Sequence, residues 1–179
     1  GGEQERGDSP VAVREGAGES TFVRRHCPEA EEAGQPVEEV SAPRPLQAGD
    51  ETEQFDCGVD VLNAWLKRRA LLNHLSGASR TYVATAGKRI VGFYCLAAGS
   101  VQHEAAPGKI RRNMPEPIPA LVLGRLAVDQ AFQKRGLGPA LVLHALEQAQ
   151  EVAMSVGVRA LLVHAKDPEA ASFYRRLGF

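Results

Sequence analysis

Apolar and polar positions change rhythm several times along this chain. From residue 1 to about 41 the apolar residues are isolated among Glu, Gly, Pro and Ser. That is too little hydrophobic surface to offset the entropy of ordering, so 1–41 is expected to be a disordered extension and 42–179 the folded domain. Beyond Phe55-Asp56-Cys57-Gly58, residues Val61, Leu62, Trp65, Leu66, Leu72 and Leu75 recur at helical spacing, with Asp60 placed to cap. The pattern predicts an amphipathic helix of about four turns. Two β-branched and aromatic runs, 81–85 and 90–97, flank Ala86-Gly87-Lys88-Arg89 and read as a hairpin. Four prolines make 102–119 a loop. The near-continuous apolar run 121–128 reads as a central strand covered on both faces. A long helix follows over 137–156, closed by Gly157, then a buried strand over 159–165. A short helix over 168–177 has Pro168 in its first turn and Gly178 past its end. The order of elements describes a mixed α/β domain.

The length of 179 residues leaves room for one well-buried domain. A formal net charge of -1 conceals an uneven distribution, because 1–41 carries a net of -6 and 42–179 a net of +5. A basic domain suits anionic ligands such as a nucleotide cofactor or nucleic acid. Cys27, Cys57 and Cys95 form none of the spacings of zinc or redox sites, and His74, His103 and His164 lack metal-ligand spacing. No metal site is expected. No stretch approaches the ~18 apolar residues of a membrane helix, and the reading is a cytoplasmic protein with reduced thiols.

The segment richest in chemical information is Gln133-Lys134-Arg135-Gly136-Leu137-Gly138-Pro139-Ala140, a basic glycine-containing turn between a buried strand and a helix. The first N–H groups of a helix lack intrahelical partners and sit in the positive field of its dipole. Gly136 and Gly138 let an anion approach the backbone, and Lys134 and Arg135 add charge, so the turn is suited to phosphate. It lacks the Gly-Lys-Ser/Thr of a Walker loop and the three glycines of a dinucleotide fingerprint.

The pattern Gln133-x-x-Gly136-x-Gly138-x-Ala140 resembles the coenzyme A motif of the GNAT superfamily of N-acetyltransferases. The resemblance extends over about 44–179. It implies a GNAT fold, a mixed and mostly antiparallel sheet flanked by helices, with acetyl-coenzyme A held by 133–140. In that family the preceding strand splays from its neighbour, freeing main-chain groups for the pantetheine arm and the acetyl carbonyl, here at Leu126, Ala127 and Val128. It also implies that Tyr174, in Ala171-Ser172-Phe173-Tyr174, protonates the leaving thiolate. GNAT domains usually carry a further strand beside the one written here as 159–165, so this chain is expected to lack it and to leave a sheet edge open.

No carboxylate stands out as a general base; Asp129 and Glu104 are candidates by position alone. An α-amine with a pKa near ~8 needs little help, whereas a lysine near ~10.4 does. Phe55-Asp56-Cys57-Gly58 with Leu62-Asn63-x-Trp65-Leu66, Arg111-Arg112-Asn113-Met114-Pro115 and Pro117-Ile118-Pro119 resemble TacT-type GNAT toxins of bacterial toxin–antitoxin pairs. Such toxins acetylate the α-amine of aminoacyl-tRNA and inhibit translation. That resemblance implies a ribbon-helix-helix antitoxin as partner, a homodimer as a possible assembly, and Arg111, Arg112, Lys67 and Arg68 as the tRNA-facing residues. Two other readings fit the residues: an acetyltransferase for a protein N-terminus or small amine, and a non-catalytic module that binds coenzyme A or an antitoxin.

Overall fold

A computed structural model describes residues 11–15 by their backbone and residues 39–179. Its centre is a six-stranded sheet in the order β1-β6-β5-β4-β3-β2. The strands are β1 (Val11–Glu15), β2 (Arg44–Pro45), β3 (Arg80–Ala86), β4 (Arg89–Val101), β5 (Ile118–Val128) and β6 (Ala160–His164). All neighbours are antiparallel except β5 and β6. The helices are α1 (Asp60–Trp65), α2 (Leu71–Ser76), α3 (Gly108–Arg111), α4 (Leu137–Ser155) and α5 (Pro168–Arg176).

Along β4, alternation sends Phe93, Cys95 and Val101 to one side and Tyr94 and Leu96 to the other. On the first side, Phe93 packs with Phe55, Trp65 and Leu66 beneath α1, and Val101 packs with Ile110 beneath α3. On the second, Tyr94 and Leu96 pack with Leu141 and Val142 of α4 and Tyr174 of α5. The sheet therefore has α1, α2 and α3 on one face and α4 and α5 on the other.

The hairpin, the central strand, the long helix and the last helix stand where periodicity places them, within a few residues. Four expectations require correction. Asp60 is the first residue of α1 and Val59, in extended conformation, is its N-cap. Within the predicted apolar stripe, Trp65 and Leu66 are buried but Val61, Leu72 and Leu75 are exposed. A π-helical turn over Leu66–Ala70 joins α1 to α2, and its wider winding rotates the faces before and after it out of register. The 102–119 segment is not loop throughout: it holds α3, and β5 begins inside it at Ile118.

The fourth correction concerns the sheet edge expected to be open beside β6. Val11–Glu15 pairs with it antiparallel over five positions, Val11↔His164 to Glu15↔Ala160. The average polarity of 1–41 masks Val-Ala-Val, a short run of strand formers that can satisfy the donors and acceptors of an edge. The remainder of that segment, up to residue 38, lies outside the described residues. Val40 and Ser41 are ordered against β3: Val40 bridges Ala86, and the Ser41 hydroxyl accepts from the Thr85 backbone N–H at 3.0 Å.

Candidate active site

Gly124 is an extra residue in β5, since Cys95 pairs with Arg125 and Leu96 with Leu123. Such a bulge bends a strand and increases its twist. A Cβ at Gly124 would stand only 3.3 Å from the Cys95 sulfur, so glycine allows the close approach. The parallel pairing of β5 with β6 runs from Ala120↔Ala160 to Leu123↔Val163 and ends there. Past the bulge, β5 continues against β4 as far as Val128↔Gly92, while its other edge faces a gap.

That gap is a cleft of about 650 Å³ that passes through the sheet. Leu126, Ala127 and Val128 form its strand wall. Pro139, Phe173 and Tyr174 line it from the face of α4 and α5, and Cys57, Val59 and Leu62 from the face of α1.

The turn at one end has an unusual backbone. Asp129 caps a short 3-10 turn by accepting from the Ala131 N–H at 3.0 Å. Lys134 then takes φ 62° and Gly136 φ 83°, both left-handed, and α4 begins without any side-chain cap. The positive end of a nineteen-residue helix thus faces the cleft, its first N–H groups unclaimed by any side chain. Gln133, Lys134, Gly136, Gly138 and Pro139 line the cleft. Arg135, Leu137 and Ala140 do not: the Arg135 guanidinium lies 5.4 Å over the Phe132 ring and Leu137 packs into the core. Gln133 turns its amide to the carbonyls of Val128 (3.0 Å) and Cys57 (3.2 Å), joining the two walls of the cleft.

Tyr174 comes from α5, whose first turn is fixed by the Asp167 carboxylate accepting from Ala170 N–H at 2.7 Å. The ring is 8% exposed and meets Phe173 and Phe179 edge-on. Its hydroxyl has no hydrogen-bond partner among the described residues, and burial pushes its pKa up to about 12. It holds its proton throughout the neutral range.

Nothing in the residue pattern marks Cys57, Val59 and Leu62 as cleft residues, or Lys166, Asp167 and Glu169, which line it with Arg176. The nearest signal for the first group is the Phe55–Gly58 motif. For the second it is the helix cap next to a strand end. Burial holds the Cys57 thiol above its usual pKa, and the Ala170 N–H bond holds the Asp167 carboxyl below its own. Neither is poised as a base near neutrality.

The two positional candidates for a base lie outside the cleft, Glu104 in a 3-10 turn beyond β4 and Asp129 in the interior, 2% exposed. Lys67, Arg68, Arg111 and Arg112 are exposed and also outside it. They share the face that carries α1, α2 and α3, with Arg69 beside them. His74 is a structural acceptor, its Nδ1 taking the Thr81 N–H at 3.1 Å. No helix among the described residues is long and apolar enough to cross a membrane.

Comparison with known proteins adds three kinds of likeness. A family model described as an acetyltransferase (GNAT) domain matches residues 77–179. A relative from Mycobacterium tuberculosis, a tRNA-acetylating toxin, is 48% identical over 139 residues, 78% of this chain and 84% of its own. Among solved structures, AtaT complexed with acetyl-methionyl-tRNAfMet superposes with a TM-score of 0.73 at 30% identity, covering 79% of this chain and 86% of that one. An AtaT variant bound to the C-terminus of the antitoxin AtaR and acetyl-CoA gives 0.68 at 29% identity, covering 79% and 84%.

Proposed function

The chain belongs to the acetyltransferase (GNAT) family, and on that premise we propose that it acetylates the α-amine of aminoacyl-tRNA with acetyl-coenzyme A as donor. The cleft through the sheet is the observation that carries this reading. Lys134, Gly136 and Gly138 at the uncapped start of α4 line it, and Cys57, Val59 and Leu62 line it from the face of the sheet that also bears the exposed basic residues. A donor and a large acceptor can then meet from opposite sides, with the reacting groups between Leu126–Val128 and Tyr174.

The residues present fit the donor. Two left-handed residues and an uncapped helix start present N–H groups and the Lys134 charge to a pyrophosphate. The free edge of β5 past Gly124 offers main-chain groups to an extended amide-bearing arm. When bound, acetyl-coenzyme A supplies an acetyl group activated as a thioester. Leu126, Ala127 and Val128 orient that arm and place N–H dipoles near the carbonyl. Tyr174, protonated and unpartnered, supplies a proton to the departing sulfur.

An α-amine is already partly neutral at pH 7 to 8 and attacks with little help from a base. Arg111, Arg112, Lys67 and Arg68 take the phosphates of the acceptor, giving an affinity that falls with salt. An antitoxin is the regulatory partner by likeness to the AtaT complex, and a substrate of translation puts the site of action in the cytoplasm.

The test is acetyl transfer from labelled acetyl-coenzyme A to charged tRNA. Label is expected on the aminoacyl group, lost in Tyr174→Phe and reduced in Arg111→Glu with Arg112→Glu. Coenzyme A binding with no labelling of any aminoacyl-tRNA would overturn the acceptor assignment.

A further inference from the structure

Among the described residues Asp129 is one of few that are polar and buried, and its carboxylate holds three groups from separate parts of the chain. Oδ2 accepts from Arg89 Nη2 at 2.8 Å and from the Asp56 backbone N–H at 3.1 Å, and Oδ1 accepts from the Ala131 N–H at 3.0 Å. Around this centre run further bonds between the same two segments. The Gln130 N–H donates to the Asp56 carbonyl at 2.9 Å, Gln130 Nε2 donates to Asp56 Oδ2 at 3.0 Å, and Gln133 Nε2 donates to the Cys57 carbonyl at 3.2 Å. One segment leads into the turn at the start of α4. The other begins the opposite cleft wall, where Asp56 Oδ1 also takes the Gly58 N–H and Asn63 Nδ2 and so fixes the entry to α1.

Two segments more than seventy residues apart, one on each wall of the cleft, are thus spliced at a desolvated carboxylate. Ion-paired and hydrogen-bonded groups away from water hold geometry more firmly than the same groups in solvent. We propose that Asp129 is a positioning residue that sets the spacing between the cofactor loop and the Cys57–Leu62 wall, so that occupancy of one is felt at the other. This rests on the acetyl-transfer reading of the cleft. Asp129 touches neither reactant; it acts through Ala131 and Asp56.

Amide hydrogen exchange of the full chain with and without coenzyme A tests the splice, in the native protein, Asp129→Asn and Gln130→Ala. The second variant removes one cross-wall bond from an exposed side chain and leaves the core intact. In the native protein coenzyme A should slow exchange at the Leu137 and Gly138 amides and also at Asp56 and Gly58. Both variants should keep the first effect and lose the second. With charged tRNA, kcat should fall about tenfold while the KM for acetyl-coenzyme A stays near native, as expected for misplacement rather than lost binding.

Equal protection at Asp56 in native and variant proteins, or none in the native protein, overturns the proposal. The exchange measurement needs no acceptor. Transmitted protection without tRNA labelling therefore defeats only the acceptor assignment, and labelling without transmitted protection defeats only the splice.

Discussion

The Tyr94 hydroxyl lies 2.6 Å from His144 Nδ1, joining the middle of β4 to the middle of α4 through the second core. Burial raises the Tyr94 pKa far above that of a free phenol, so its oxygen is the donor and the imidazole nitrogen the acceptor. Burial also lowers the His144 pKa, against the smaller opposing influence of Glu147 and Glu151. A folded-state pKa below the unfolded value of ~6.5 means that the unfolded chain takes up a proton first. Stability should be level above about pH 7 and fall as pH drops through 6.5. His74, lowered by burial as well, adds to the same slope. Thermal midpoints between pH 7.5 and 5 should fall less in His144→Gln than in the native protein.

Tyr174→Phe should leave coenzyme A affinity near native and lower kcat by about 10²- to 10³-fold, the range of a lost general acid. A free phenol loses its proton near ~10, whereas Tyr174 is held up to about 12 by burial. The alkaline limb contributed by this group in a pH profile of kcat should therefore be absent up to pH 10. The same raised value makes its contribution to stability complete below about 10 and lost as pH rises toward 12.

Gly136 and Lys134 share the left-handed region but should respond in opposite senses to a change of residue. Apart from its chain neighbours, no atom lies within 4 Å of a Cβ at Gly136, so Gly136→Ala costs only backbone strain, about 1 kcal/mol. Relaxation of that strain would turn the first N–H groups of α4, and coenzyme A affinity measured by calorimetry should fall at least about fivefold, with partial recovery in Gly136→Asn. Lys134→Gly should raise the melting temperature slightly, because it removes the strain, while weakening the cofactor through lost charge.

Deleting residues 1–16 should expose the outer edge of β6, which Val11–Glu15 covers over five positions. Light scattering is expected to show concentration-dependent association of the shortened chain, and calorimetry a lower melting temperature. A monomeric shortened chain of unchanged melting temperature would mean that β1 contributes nothing to the sheet in solution.

Much of this protein was readable from its residues alone. Two β-branched and aromatic runs about Ala86-Gly87-Lys88-Arg89 marked β3 and β4, the apolar run marked β5 as central, and a glycine-bearing basic turn before a long helix marked the phosphate-suited loop, because each depends on neighbours within a few positions. The same local logic failed where a distant partner decides. The π-turn over Leu66–Ala70 undid the apolar stripe, leaving Leu72 and Leu75 exposed. Val11–Glu15 is a strand because β6 has an edge to fill, a fact invisible in a window of acids and glycines. Asp129 stood out only as a base candidate by position; the fold brought Arg89 and Asp56 to its oxygens. The extra residue at Gly124 opens the sheet only because β4 and β6 hold their own registers on either side of it. Sequence determined which elements form and which turn suits an anion. Tertiary structure decided where the sheet parts and what holds the two walls of the gap in place, since those depend on hydrogen bonds between residues far apart in the chain.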